Sequence, residues 1–292
     1  MPVSSEVDES VFAGEASDGS EATDTGDSGE SAGRPDGPAL PINELFTSLQ
    51  GEGTLAGVPS TFVRTSGCNL RCWFCDSYHT SWEPTGAWRS VDAVLDAVEA
   101  RDPDHVVLTG GEPLIHDASL DLLRDLADRG YHTTVETNGT VVPDAPVDLV
   151  SVSPKLASST PTPDRDPTGA GDDESTEQAG DGVVGAGNWE ARHEERRIDR
   201  DVLATLADDF DCQFKFVVTG ESDLPEITSL LADVRDRAET PIPDDAVLLM
   251  PEGQTRERLA ETRTTVAELA LEHGYRYTPR LHVDLWNDAP ET

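Results

Sequence analysis

Three of the four cysteines, Cys68, Cys72 and Cys75, fall within eight residues in the spacing C-x3-C-x2-C, and Cys212 stands alone far downstream. A structural zinc site ordinarily takes four protein ligands, commonly from two separated Cys or His pairs, and no second Cys pair exists here. Three thiolates on one tight loop suit a [4Fe–4S] cluster with one iron left without a protein ligand. An open iron can bind a small molecule and pass it an electron. The rival on these residues alone is a Cys3His zinc site completed by His79, which would make the chain a zinc-stabilised interaction module. Cys212 reads as a small buried apolar residue, Trp73 as packing beside the loop, and His116, His132 and His282 as structural.

Other residues with chemical potential lie downstream of short apolar runs. Gly110-Gly111-Glu112-Pro113 follows the run 105–109 and offers backbone groups plus a carboxylate able to hold an ammonium. Arg64, beside Phe62 and Val63, fits a bidentate clamp for a carboxylate. Of the 21 basic residues only Lys155 and Lys215 are lysines. In a chain so poor in Lys, those two are expected to be needed where they stand. For Lys215, chance and a pair with a buried acid are an equal reading.

Stepping along the chain, the elements that must position these residues form a regular series. Residues 42–50 alternate as a strand and turn through Gly51-Glu52-Gly53. Strands are expected at 61–65, 105–109, 131–137, 147–153, 213–219 and 246–250. Helices are expected from an N-cap at Ser90, then from 120 to a stop at Gly130, and over 199–209, 223–238 and 255–273. Strands 131–137 and 147–153 lie too close for a packed crossover helix, so one helix of the series is expected to be missing or vestigial. The stretch 275–286 is expected to return as an edge strand or a cover. The series is shorter than the ~250 residues of a closed eight-stranded barrel, so an open, partial (β/α)6 barrel with a trimmed helix set is expected. Such architectures place ligands at the C-terminal ends of strands, where the cysteine loop and the glycine turn fall.

Composition sets the domain boundaries. The formal net charge is −37, and the hydrophobic fraction is 36%. Residues 1–38 hold many acids and almost no large apolar side chain, and are expected to be a disordered acidic tail. Residues 39–292 form the core domain, interrupted at 156–197 by a stretch without apolar periodicity that reads as an inserted, mobile acidic loop. An acidic surface stripped of Lys resembles the proteins of salt-accumulating haloarchaea. The charge argues against direct contact with nucleic acid or an anionic membrane, though high salt weakens that argument. No run approaches a membrane span and no apolar signal core is seen, so a cytoplasmic location is expected, where clustered thiols act as ligands.

The cysteine spacing with Phe74 in the aromatic place resembles the signature of radical S-adenosylmethionine (SAM) enzymes. Gly110-Gly111-Glu112-Pro113 is similar to the motif with which that family holds the SAM methionyl amine. Further runs narrow the resemblance: Leu49-Gln50-Gly51-Glu52-Gly53, Gly57-Val58-Pro59, Arg64 with Gly67-Cys68-Asn69-Leu70, Asp76-Ser77, Thr109, Glu136-Thr137-Asn138-Gly139 and Ser153-Pro154-Lys155. Together, over 42–292 outside the insertion, they resemble the 7-carboxy-7-deazaguanine synthase family of 7-deazapurine (archaeosine- or queuosine-type) biosynthesis.

That resemblance implies a lyase converting 6-carboxy-5,6,7,8-tetrahydropterin to 7-carboxy-7-deazaguanine with loss of ammonia, with SAM regenerated. It implies cluster ligation by Cys68, Cys72 and Cys75. SAM would be held by Phe74, Asp76, Gly111, Ser153, Pro154 and Lys155. The pterin would be contacted by Leu49, Gln50, Gly51, Arg64 and Thr109, and Mg²⁺ by Ser77, which stands where the family usually has Thr. The work of such a protein is positioning and exclusion of water, with no acid–base residue assigned. An electron donor such as ferredoxin or flavodoxin and a homodimer are further implications. A glycyl-radical-enzyme activase shares the cluster motif, but the Leu49–Gly53 and Ser153–Lys155 matches argue against it.

Overall fold

The computed structural model describes residues 34–168, 186–287 and 289. Most of the expected acidic tail, residues 1–33, lies outside that range, as does the middle of the insertion, 169–185.

Among the described residues nine strands form one sheet. β1 (Ala39–Leu49) pairs antiparallel with both β2 (Pro59–Thr65) and β3 (Ala87–Ser90). From β2 onward every pairing is parallel: β4 (His105–Gly110), β5 (His132–Thr137), β6 (Leu149–Val152), β7 (Cys212–Val218), β8 (Val247–Pro251) and the short β9 (Arg276–Tyr277). Strands β2 and β4 to β8 are the six expected from the sequence, and the sheet stays open between β3 and β9. The connecting helices are α2 (Val91–Glu99), α3 (Asp117–Asp128), α5 (Arg200–Asp209), α6 (Leu224–Arg237) and α7 (Arg256–His273). No helix joins β5 to β6, as the short spacing requires. A one-turn α1 (Tyr78–Ser81) follows the cysteine loop, and α8 (Leu281–Trp286) follows β9.

Helix boundaries follow local chemistry. Ser90 accepts from Ala93 N, Asp199 from Asp201 N and Val202 N, and Thr255 from Arg258 N, each satisfying an orphan amide of the first turn. Helix α7 stops where Gly274 adopts φ 72°.

The strand period of two then divides the side chains between two faces. One face packs on the helices: Val63, Val106, Leu108 and Val135 in one cluster, Val150, Val152, Phe214, Phe216 and Leu249 in the other. The intervening residues Arg64, Thr109, Glu136, Ser151 and Lys215 therefore fall on the opposite face. Pairing keeps them adjacent, with Arg64 opposite Thr109 and Glu136 opposite Ser151. A polar cleft lined from several strands is the result.

Two boundaries differ from the expectation. Residues 34–38 are tied to the domain: Pro38 O accepts from Val91 N, and the Arg34 guanidinium lies 4.4 Å from the Trp88 ring centroid. The expected mobile loop at 156–197 is packed at both ends, with a 3-10 turn at Ala157–Ser159 and a helix, α4 (Ala186–Arg196). Beyond Leu156, which joins the core, its buried anchors include the polar Ser159 and His193, which apolar periodicity could not announce. The 275–286 stretch supplies both alternatives, as β9 and then α8.

Candidate active site

The cysteine loop leaves the C-terminal end of β2. Cys75 N bonds Cys72 O at 3.2 Å, Leu70 N donates to Cys68 Sγ at 3.4 Å, and Ser81 Oγ donates to Cys75 Sγ at 3.1 Å. Burial raises all three thiol pKa values, pushing Cys72 up to about 12 despite the opposing charge of Lys155. Thiols gathered where ionisation is costly fit a cationic iron–sulfur group, whose charge would hold them as thiolates. His79 does not join them. Its Nε2 lies 4.0 Å from Glu44 Oε2, which disfavours the zinc site it was to complete.

The glycine turn packs directly on this loop. A Cβ at Gly111 would come within 2.2 Å of Gly67 O and 2.8 Å of Cys68 Cβ, so only glycine permits the approach. Glu112 N donates to Gly67 O at 2.9 Å. The Glu112 carboxylate does not serve as the ammonium acceptor that the sequence suggested. It is fully buried and accepts from Leu114 N, Thr137 Oγ1 and Asn138 N, bracing the turn against β5. The half-buried backbone of Gly110 and Gly111 is what remains on the open side. Next to it, Lys155 Nζ donates to Ser153 Oγ at 2.7 Å, and its charge is felt at Cys72, Cys75 and Glu112. Ser153, Pro154, Lys155 and Gly111 thus edge the cysteines. This set suits an amino-acid end of SAM, with a cation for its carboxylate and backbone acceptors for its ammonium. Phe74 lies on the same loop, its ring edge-on to Trp73 at 5.3 Å, and Gln254 Nε2 holds its carbonyl at 3.2 Å.

On the other side the cleft is a chain of charges. Arg64 Nε donates to Glu44 Oε2 at 2.7 Å and Nη1 to Ser77 Oγ at 2.9 Å. Ser77 Oγ donates to Asp76 Oδ1 at 3.3 Å and makes no capping bond to α1, although Ser77 is its N-cap residue. Partial desolvation would raise the Asp76 carboxyl, but the Arg280 and Arg64 guanidiniums hold it well below the usual carboxylate range. Arg280 continues the chain, pairing with Asp76, with Glu52 Oε1 at 3.1 Å and with Gly253 O at 2.8 Å. Lys215 Nζ lies 2.5 Å from Glu52 Oε2 and 3.7 Å from Glu136 Oε1. Glu136 accepts from Gln50 Nε2 at 3.2 Å and Thr109 Oγ1 at 3.0 Å, which closes the array.

Of the substrate residues implied by resemblance, Gln50, Arg64 and Thr109 meet in this array. Leu49 ends β1 opposite Pro59, and Gly51 follows it. At Gly51 an added Cβ would sit 2.0 Å from His282 Nδ1, so the turn and α8 meet there. Sequence reasoning missed Glu44, Glu52, Glu136, Gln254, Arg280 and His282 as site residues. Glu52 and Glu136 stood within runs already singled out. Arg280 and His282 had no local signal beyond the Lys-poor chain's placement of an Arg after Pro279. Cys212 opens β7 half-buried and away from the loop. His116 Nε2 donates to Ser66 O at 2.9 Å, and His132 packs edge-on to His105, both structural as expected.

A cluster loop at the mouth of an open α/β sheet, facing a glycine turn and a polar cleft, defines a radical SAM enzyme. The radical SAM superfamily model accordingly matches residues 62–156. The chain belongs to the 7-carboxy-7-deazaguanine synthase family: it is 64% identical over 258 residues to that enzyme of Halobacterium salinarum, covering 88% of this chain and 94% of the relative. Identity to the Rhodopirellula baltica synthase is 39% over 84% of this chain and 86% of that one. The crystal structure of QueE from Escherichia coli superposes with a TM-score of 0.54 at 26% identity, covering 84% of this chain and 95% of that one.

Proposed function

We infer that the chain is a radical SAM lyase making 7-carboxy-7-deazaguanine from 6-carboxy-5,6,7,8-tetrahydropterin with loss of ammonia. The 64% identity to the H. salinarum synthase, over 88% of this chain and 94% of that one, carries this reading. When bound, a [4Fe–4S] cluster on Cys68, Cys72 and Cys75 together with SAM supplies a carbon-centred radical for hydrogen abstraction at the substrate. Gly111, Ser153, Pro154 and Lys155 hold the SAM methionyl end, with Phe74 and Asp76 beside it.

Arg64 clamps the pterin carboxylate. Glu44 and Ser77 fix its guanidinium plane before the substrate arrives, which reduces the ordering cost of binding. Gln50, Thr109 and Glu136, with Leu49 and Gly51 forming the wall, match the amide and amine edge of a pterin. Lys215 and Arg280 neutralise the carboxylates that would otherwise repel the substrate's own negative charge. Ser77 Oγ, beside Asp76, would offer a hard oxygen to hold Mg²⁺, whose charge would help orient the substrate. The protein's contribution is orientation and exclusion of water from a reactive radical.

The reductant is a small acidic or flavin carrier such as ferredoxin or flavodoxin, and the chain acts as a homodimer in the cytoplasm. Its −37 charge disfavours direct contact with nucleic acid or anionic membrane. Among the described residues no helix is long and apolar enough to cross a membrane. Anaerobic incubation with SAM, reductant, Mg²⁺ and carboxytetrahydropterin, followed by mass spectrometry, tests the activity. The expected product is 7-carboxy-7-deazaguanine; unconsumed pterin with an intact cluster would refute it.

A further inference from the structure

Two described pieces of chain between β6 and α5, residues 156–168 and 186–197, do something the activity above leaves unassigned. Helix α4 carries no apolar stripe. Among its side chains described for burial, His193 is the one buried, at 0% exposure. Burying an imidazole is costly unless both nitrogens find partners. Both do. Nδ1 accepts from Arg71 N at 3.2 Å, so the ring proton sits on Nε2 and is donated to Ser159 Oγ at 2.9 Å. Ser159 Oγ passes its own proton to Leu156 O at 2.6 Å. The relay is fixed in direction from the cysteine loop through His193 to the stretch after β6.

A second set of bonds grips the same loop two residues further on. Trp73 N donates to Ser159 O at 3.1 Å, and Trp73 Nε1 to Ser158 O at 2.7 Å. The two amides thus held, of Arg71 and Trp73, flank Cys72 on either side. Outside them the Arg71 guanidinium lies 4.4 Å from the Trp189 ring centroid and that of Arg165 lies 5.4 Å from the Trp73 ring centroid, stacking cations over aromatics.

We propose that these two pieces, 156–168 and 186–197, clamp the cluster loop, with His193 and Ser159 as positioning residues that hold the Cys72 corner in place and retain the cluster. The proposal rests on the reading that Cys68, Cys72 and Cys75 carry that cluster. Partners in this outer layer fix ligand orientation and control solvent access, and they set retention of the metal more than the fold.

The test uses the full chain, reconstituted anaerobically in molar KCl, as wild type, His193→Ala and Trp73→Phe. Iron content, the rate of cluster bleaching in air and in EDTA, and the melting temperature of the cluster-free protein are measured on each. His193→Ala is expected to bleach ~10-fold faster, with Trp73→Phe shifted less in the same direction, while cluster-free melting stays near wild type. Bleaching rates equal to wild type in both variants would overturn the clamp, as would rates that rise only in step with a lowered melting temperature. If His193→Ala does not fold, Trp73→Phe decides by the same comparison. A wild type that takes up no iron would instead remove the cluster reading, and the clamp with it.

Discussion

Lys215 on β7 places its ammonium 2.5 Å from the Glu52 carboxylate in the turn after β1, joining residues 163 positions apart inside the cleft. Lys215 is 5% exposed and Glu52 13%, so neither charge is solvated enough to stand alone. Glu136 shares the same ammonium.

Removing that ammonium leaves two carboxylates facing each other in a low-dielectric cleft. Lys215→Met is therefore expected to destabilise the cluster-free protein by about 3 kcal/mol or more in denaturant unfolding. Lys215→Arg, which keeps the charge, should recover part of the loss. Unchanged unfolding in the Met variant would mean that the pair contributes nothing.

Acid should act on the same pair through Glu52. Burial would raise its carboxyl, but Lys215 and then Arg280 outweigh it and hold the pKa at about 2 rather than 4.5. A carboxyl depressed in the folded state adds stability above its unfolded pKa and loses it as pH falls through its folded one. The stability gap between wild type and Glu52→Gln should thus be full above about pH 4.5 and close toward pH 2. Unfolding curves across that range check it; a gap that widens in acid would reverse the assignment.

Much of the architecture was legible, for physical reasons that particular residues illustrate. The run 105–109 is largely apolar and 213–216 alternates polar and apolar residues, because one face of each strand packs on the helices, and the short 138–148 spacing ruled out a helix. The cysteine loop and glycine turn are local, so spacing alone announced them. What stayed hidden is long-range or polar. Four half-buried residues of β3 carry no period, and α4 docks through one histidine. Arg280 reaches Glu52 across 228 positions and Asp76 across 204, distances no local pattern encodes. His282, read as structural, abuts Gly51 only because the chain's last helix folds back over that turn.

That close approach is itself testable. Gly51→Ala should push the His282 ring away and raise KM for the pterin by about 10-fold, with cluster content unaffected. Adding His282→Ala to it should restore backbone fit without restoring KM. Steady-state kinetics on the single and double variants decide, and a Gly51→Ala enzyme with wild-type KM would show that the contact is idle.

Ser77 separates a metal ligand from a loop support. Its hydroxyl meets Arg64 and Asp76 rather than the amides of α1. Ser77→Ala should keep iron content and SAM affinity while turnover loses its response to Mg²⁺, and Ser77→Thr should stay active. Unchanged Mg²⁺ dependence in the Ala variant, with iron loading reduced, would make Ser77 a support for the loop instead.

The cluster loop itself should tolerate no loss. Cys68→Ala, Cys72→Ala and Cys75→Ala are each expected to abolish turnover and lower iron content, whereas Cys212→Ala keeps both, since it opens β7 away from the loop. Iron analysis of the four variants checks this. Cluster loss in the Cys212 variant would reassign a ligand.

The central claim is that this cleft holds the carboxypterin for hydrogen abstraction by a radical drawn from SAM. The most direct measurement uses substrate deuterated at C6 in the anaerobic reaction and follows the label by mass spectrometry. The account predicts deuterium in SAM or 5′-deoxyadenosine alongside 7-carboxy-7-deazaguanine. Product formed with the deuterium released to solvent would contradict it.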